Sequence, residues 1–62
     1  MLEYVKTILQ KVSFSRHLFE RELKKGLWYL MPSEIEEFRD WCYATFSKMY
    51  LPILNQHFKP AY

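Results

Sequence analysis

Apolar side chains recur along this chain in three runs, each at alternating steps of three and four. That is the period of an amphipathic helix rather than the step of two that marks a strand. In the first run Leu2, Val5, Ile8, Leu9 and Val12 share one face, and Glu3, Lys6, Thr7, Gln10 and Lys11 take the other. The spacing predicts a helix over 2–12 with Tyr4 at the edge of its apolar face. In the second run, over 16–30, the apolar face is Leu18, Phe19, Leu23, Leu27 and Leu30, with Trp28 and Met31 alongside; Arg16, Glu20, Arg21, Lys24 and Lys25 face water. Arg16–Glu20 and Glu20–Lys24 stand at ion-pair spacing. In the third run, over 34–50, Ile35, Phe38, Cys42, Thr45 and Met49 make the stripe, flanked by Trp41, Phe46 and Tyr50.

The punctuation between the runs agrees with these bounds. Ser15 stands where an N-cap is needed, and Phe14 before it is placed to pack onto Leu18 or Phe19 as a staple. Ser33 and Glu36 have the spacing of a capping box, with Pro32 just outside and acids filling the first turn, where the helix dipole favours them. Gly26, the only glycine, is compatible with a helix end. The apolar rhythm Leu23, Leu27, Leu30 continues in phase across it, which predicts a continuous helix at a cost of about 1 kcal/mol relative to alanine. Pro52 clashes with the carbonyl four residues back, so the third helix kinks or stops there, and a short proline-started turn over 52–58 follows.

The expected fold is therefore all-α: a three-helix bundle over 1–58 as a single domain, with 59–62 as a frayed tail. Its core should draw on Leu2, Val5, Leu9, Val12, Leu18, Leu23, Leu27, Leu30, Ile35, Phe38, Cys42 and Met49.

Composition changes this picture in one respect. Twelve of 62 residues are Phe, Trp or Tyr. A chain this short buries only about 60% of its unfolded surface, so a three-helix core cannot easily hide every ring. The surplus predicts self-association or a protein partner. The aromatic candidates for that contact are Phe19, Trp28, Tyr29, Trp41, Tyr43, Phe46 and Tyr50, since Trp and Tyr are enriched at binding hot spots.

Charge adds a second candidate surface. The net charge is +2, and it is uneven: residues 1–31 carry an excess of three positive charges and 32–62 an excess of one negative. Basic residues cluster on the second helix at Arg16, His17, Arg21, Lys24 and Lys25, with Lys6 and Lys11 able to extend the patch. Such clustering suits phosphate contact. Glu20 and Glu22 interrupt it, and no Asn, Gln or paired Arg stands at the helix start to read base edges. Structured RNA, read by shape and backbone, fits better than sequence-specific DNA.

Other chemistries find little support. Cys42, His17 and His57 lack metal-ligand spacing, no glycine-rich phosphate loop is present, and the carboxylates of 34–40 are accounted for as helix-start acids. No catalytic residue, cofactor or metal is expected, and the chain is not expected to be an enzyme. One cysteine excludes an internal disulfide and fits a cytoplasmic setting. No run of about 18–20 apolar residues spans a bilayer, and no secretory signal is recognisable. The sequence thus points to a non-enzymatic protein-interaction module, a homodimer or an accessory subunit of a larger assembly. The alternative is an RNA-binding accessory protein of a ribonucleoprotein particle.

Overall fold

A computed structural model describes residues 1–58 and contains three helices: α1 (Leu2–Lys11), α2 (Arg16–Tyr29) and α3 (Pro32–His57). The all-α bundle expected from the period is what forms. The tail expected at 59–62 lies outside the described residues.

Local chemistry explains most helix ends. The Ser15 hydroxyl accepts from the Leu18 N–H at 3.3 Å, as its position before the second run requires. The start of α3 differs from expectation. Pro32 is inside the helix at its first turn, and Met31 is the N-cap, held extended at φ −71°, ψ 150° because the residue before a proline is pushed out of the helical region. Counting from Met31, the acid in the third position is Glu34, whose carboxylate accepts from the Met31 N–H at 2.9 Å. Glu34 therefore does the work assigned to Glu36, and Ser33 is no cap. Phe14 is also not a staple: it stays 78% exposed while Phe19 is fully buried.

Gly26 sets the distance between α1 and α2. The helix runs through it, with no positive φ anywhere among the described residues. Its value is the missing side chain: a Cβ there would stand 2.6 Å from Val5 Cγ1 and 3.7 Å from Phe38 Cζ. All three helices converge on this point.

The largest departure from a simple bundle is at Tyr50. Its backbone leaves the helix (φ −130°, ψ 29°) two residues before Pro52. A straight helix of this length would reach about 39 Å, yet the longest dimension of the whole molecule is 28 Å. The rings of Phe38 and Phe58, twenty residues apart, lie 5.7 Å from each other, and the Tyr43 hydroxyl donates to Asn55 Oδ1 at 2.6 Å. So α3 folds back on itself: an arm over 32–49, a reversal at Tyr50, and a short arm over 51–57 led by Pro52. The proline-started segment expected from sequence exists, and it packs as a fourth layer.

That return arm rearranges the core. Ile53, Leu54 and Phe58 are buried, as are Phe19, Phe46 and Tyr50. Phe19 is the hub, stacked on Tyr50 at 4.3 Å and edge-on to Phe46 at 4.9 Å. Of the expected core, Leu2, Val5, Leu9, Leu23, Leu30, Phe38 and Cys42 are buried, and Leu27 and Ile35 pack at its margin. Val12 and Leu18 are only half-buried. Met49 is wrong: it is 63% exposed. The buried line of the first arm is Phe38, Cys42, Phe46, Tyr50. Strict steps of four advance about 40° beyond a full turn each time, so the line slews around the helix and leaves Met49 outside. The Tyr50 hydroxyl then donates to the Ser13 carbonyl at 2.5 Å, pinning the reversal to the α1–α2 turn.

The Gly26 contact predicts a test. Gly26→Ala gains helix propensity of about 1 kcal/mol but overpacks a closed crossing, which typically costs about 1–3 kcal/mol. Urea denaturation should show net loss of stability, and adding Val5→Ala should restore part of it, giving a favourable coupling between the two positions.

Candidate interaction surface

Two of the aromatic candidates, Trp28 and Tyr29, share an exposed face of α2 with three of the basic ones. Phe19, Phe46 and Tyr50 leave the aromatic set: they are 0%, 5% and 8% exposed and hold the core together. Trp41 and Tyr43 are half-buried and packed against it, Trp41 beneath the Lys6 ammonium at 5.5 Å. Trp28 and Tyr29 remain, 87% and 63% exposed. Their place follows from α2's core positions. Trp28 stands two residues past Gly26 and two before Leu30, hence roughly 200° round the helix from each.

All five basic candidates, Arg16, His17, Arg21, Lys24 and Lys25, are exposed. Arg21, Lys24 and Lys25 line one shallow groove with Trp28 and Tyr29. Arg16 and His17 lie at the other end of α2, outside it. Beside this groove a second depression of about 280 Å³ opens between α1 and α2, lined by Met1, Tyr4, Ile8, Glu22, Lys25 and Tyr29 among others. Met1, Tyr4 and Met31 are each more than 60% exposed. Met1 and Tyr4, which line that depression, extend the exposed apolar surface and were not among the candidates, although Tyr4's place at the edge of its helix face was a signal for it.

Electrostatics divide the same region. Glu22 is shared by Arg21 at 3.6 Å and Lys25 at 3.7 Å. Across α1 the arrangement is reversed: Lys6 is shared by Glu3 at 3.4 Å and Glu37 at 3.8 Å. The expected pairing of Glu20 with Arg16 or Lys24 gives way to His57, whose Nε2 lies 2.9 Å from Glu20 Oε2. That contact ties the return arm to α2, and it holds the Glu20 carboxyl below the usual carboxylate range, chiefly through the hydrogen bond.

Cys42 is fully buried, and burial pushes its thiol up to about 12, so the thiolate a nucleophile needs is suppressed. Among the described residues no group of three or more His, Cys, Asp or Glu has metal-holding geometry, and no helix is long and apolar enough to cross a membrane. Comparison of the chain with protein families, with characterised proteins and with solved structures finds no match, so a functional reading rests on this surface.

Two outcomes follow. A thiol reagent at neutral pH should leave Cys42 unlabelled in the folded protein, with labelling appearing only as the chain unfolds; fast labelling under native conditions would contradict the burial. Glu20, with its pKa depressed below 4.5 on folding, contributes stability that is fully present above that value and is lost as pH falls. Thermal melts of Glu20→Gln should therefore show a shallower decline on acidification than the parent chain.

Proposed function

We propose that this chain is a non-enzymatic protein-interaction module, a homodimer or an accessory subunit, working in the cytoplasm. The contact surface is the exposed face of α2 around Trp28 and Tyr29. The observation that carries the reading is the exposure of Trp28, 87%, in the last turn of α2. Tryptophan is highly buried on average, and contiguous exposed apolar patches mark interaction sites. Tyr29, 63% exposed, shares one groove with it and also borders the α1–α2 depression that exposed Met1 and Tyr4 line; Trp and Tyr are enriched at binding hot spots. The free thiol of Cys42 suits a reducing compartment.

RNA is the second reading. What favours it is the groove that sets Arg21, Lys24 and Lys25 beside two exposed rings, an arrangement suited to phosphate contact and base stacking. What counts against it is Glu22 among those cations.

A tagged pull-down divided into nuclease-treated and untreated halves separates the two. Under the protein-interaction reading the bound partner survives nuclease and is lost in Trp28→Ala, a surface change that leaves the fold intact. Retention that vanishes with nuclease, and that falls steeply between about 50 and 200 mM salt, would transfer the function to RNA. A partner held equally by the parent chain and Trp28→Ala would sink this surface.

A further inference from the structure

Helix α2 has two sides that differ in kind. On one, Phe19, Leu23 and Gly26 are buried against the other helices. Arg21 and Trp28 are seven residues apart, so they point within about 20° of each other, on the side away from that core. His17 lies one turn before Arg21 on the same line, and Lys24 and Lys25 flank it on either side. All five are exposed. Arg21, Lys24, Lys25 and Trp28 share one shallow groove with Tyr29. The result is a ridge about 16 Å long, cationic along its length and aromatic at its C-terminal end.

The carboxylates of α2 are committed elsewhere. Glu20 meets His57 of the return arm at 2.9 Å. The Glu22 side chain is only 16% exposed and is shared by Arg21 at 3.6 Å and Lys25 at 3.7 Å. Arg21, Lys24 and Lys25 against the single Glu22 leave the ridge an excess of two positive charges. Those charges set the sign of what can lie there, because an opposite charge is attracted and a like charge is rejected. The rings set a second requirement, since an exposed Trp gains most when an apolar group covers it and excludes water.

We infer that this ridge docks an acidic protein segment, with carboxylates a helical turn apart over Arg21, Lys24 and Lys25 and an apolar side chain against Trp28 and Tyr29. The inference rests on the protein-interaction reading and names the chemistry of the partner. Two rival occupants match the ridge less well. Nucleic acid binds tightly by releasing counterions from about six to ten phosphates, and two of the three Lys and Arg in this groove already share Glu22. A second copy of this chain would bring the acidic start of α3. There Glu34 accepts from the Met31 N–H, Glu37 meets Lys6 and Asp40 meets Arg39, so those carboxylates are matched within their own chain.

The test is fluorescence anisotropy of labelled synthetic helices titrated with the full chain. Each helix has about 16 residues, enough to hold its helicity. The first carries Glu at positions four apart with Leu one turn beyond. The second has Lys for each Glu, and the third has Ala for Leu. The first should bind and the second should not; the third should bind at least about tenfold more weakly, for want of the apolar anchor. Lys24→Glu with Lys25→Glu should weaken the acidic helix at least about tenfold and admit the lysine helix instead. Trp28→Ala should weaken the acidic helix and keep the preference for Glu over Lys. These positions are exposed, so circular dichroism and melting should match the parent; a doubly reversed chain that fails to fold is replaced by Lys24→Glu alone.

A chain that binds none of the helices, or binds acidic and basic ones alike, overturns the inference. So does acidic-helix binding untouched by the reversal. If a nuclease-resistant partner still depends on Trp28 after such a failure, the interaction reading stands and only the acidic chemistry falls. An equally labelled oligouridylate that binds more tightly than the acidic helix, and is released by Lys24→Glu with Lys25→Glu, would remove both in favour of RNA. A parent chain that sediments as a dimer, and as a monomer once reversed, would give the ridge to a second copy.

Discussion

The closest constraint in this molecule is an absence: the side chain that Gly26 lacks. Val5 of α1 occupies that space, and Phe38 of α3 closes over it. In a small domain with little area to bury, a backbone-level approach of two helices brings the third into reach of both. Leu9, Leu23, Phe38 and Cys42 can then be fully enclosed, with Cys42, the one cysteine of the chain, a free thiol. The glycine sacrifices helix propensity and gains close packing, and the phase of the apolar stripe across it is what keeps α2 continuous.

The second organising feature is the reversal at Tyr50. A bundle of three helices leaves one side of Phe19, Phe38 and Phe46 open. The return arm of α3 supplies Ile53, Leu54 and Phe58 to close it. Several bonds hold the arm in place from different directions. The Tyr50 hydroxyl reaches the Ser13 carbonyl, Tyr43 reaches Asn55, and His57 reaches Glu20. Each joins segments distant in sequence, so the arm is fixed by the tertiary structure and not by helix propensity. The aromatic wealth of the chain is spent largely here, with edge-on and stacked rings filling a core that aliphatic side chains of the same number would leave loose.

What remains outside is correspondingly informative. Once the core has taken Phe19, Phe46, Tyr50 and Phe58, the exposed rings are Tyr4, Phe14, Trp28 and Tyr29; Tyr4 and Tyr29 border the α1–α2 groove, and Trp28 stands beside Tyr29 on α2. Charges segregate around the same region, with cations sharing one carboxylate on one side and carboxylates sharing one cation on the other. The attraction expected between a basic first half and an acidic third helix is partly met inside the molecule, through Lys6 and Glu37. The rest is left on the surface, where a partner can meet it.

Helix number, the approximate bounds, the Ser15 cap, the continuity through Gly26 and most of the α1 and α2 core were legible in the sequence, because each depends on residues within one or two turns of each other. Periodicity and capping chemistry are local, and a local signal survives without the rest of the chain. The sequence also determined that rings would exceed what a simple bundle hides, and that Lys and Arg would cluster on α2. It left open which rings those would be. Phe46 and Tyr50 look like flanking residues along their own helix, and Phe19, though on the apolar face of α2, stood among the contact candidates; the structure buries all three together. Met49 looks like core and is excluded because the buried line slews in steps of four. Arg21, Lys24, Lys25, Trp28 and Tyr29 stand at i, i+3, i+4, i+7 and i+8 along α2, so their shared face is local helix geometry; the addition of Met1 and Tyr4 beside Tyr29 was decided by tertiary structure. A surface is made by elements meeting across space, and the angle at which a kinked helix folds back is set by long-range packing that no window of neighbouring residues contains.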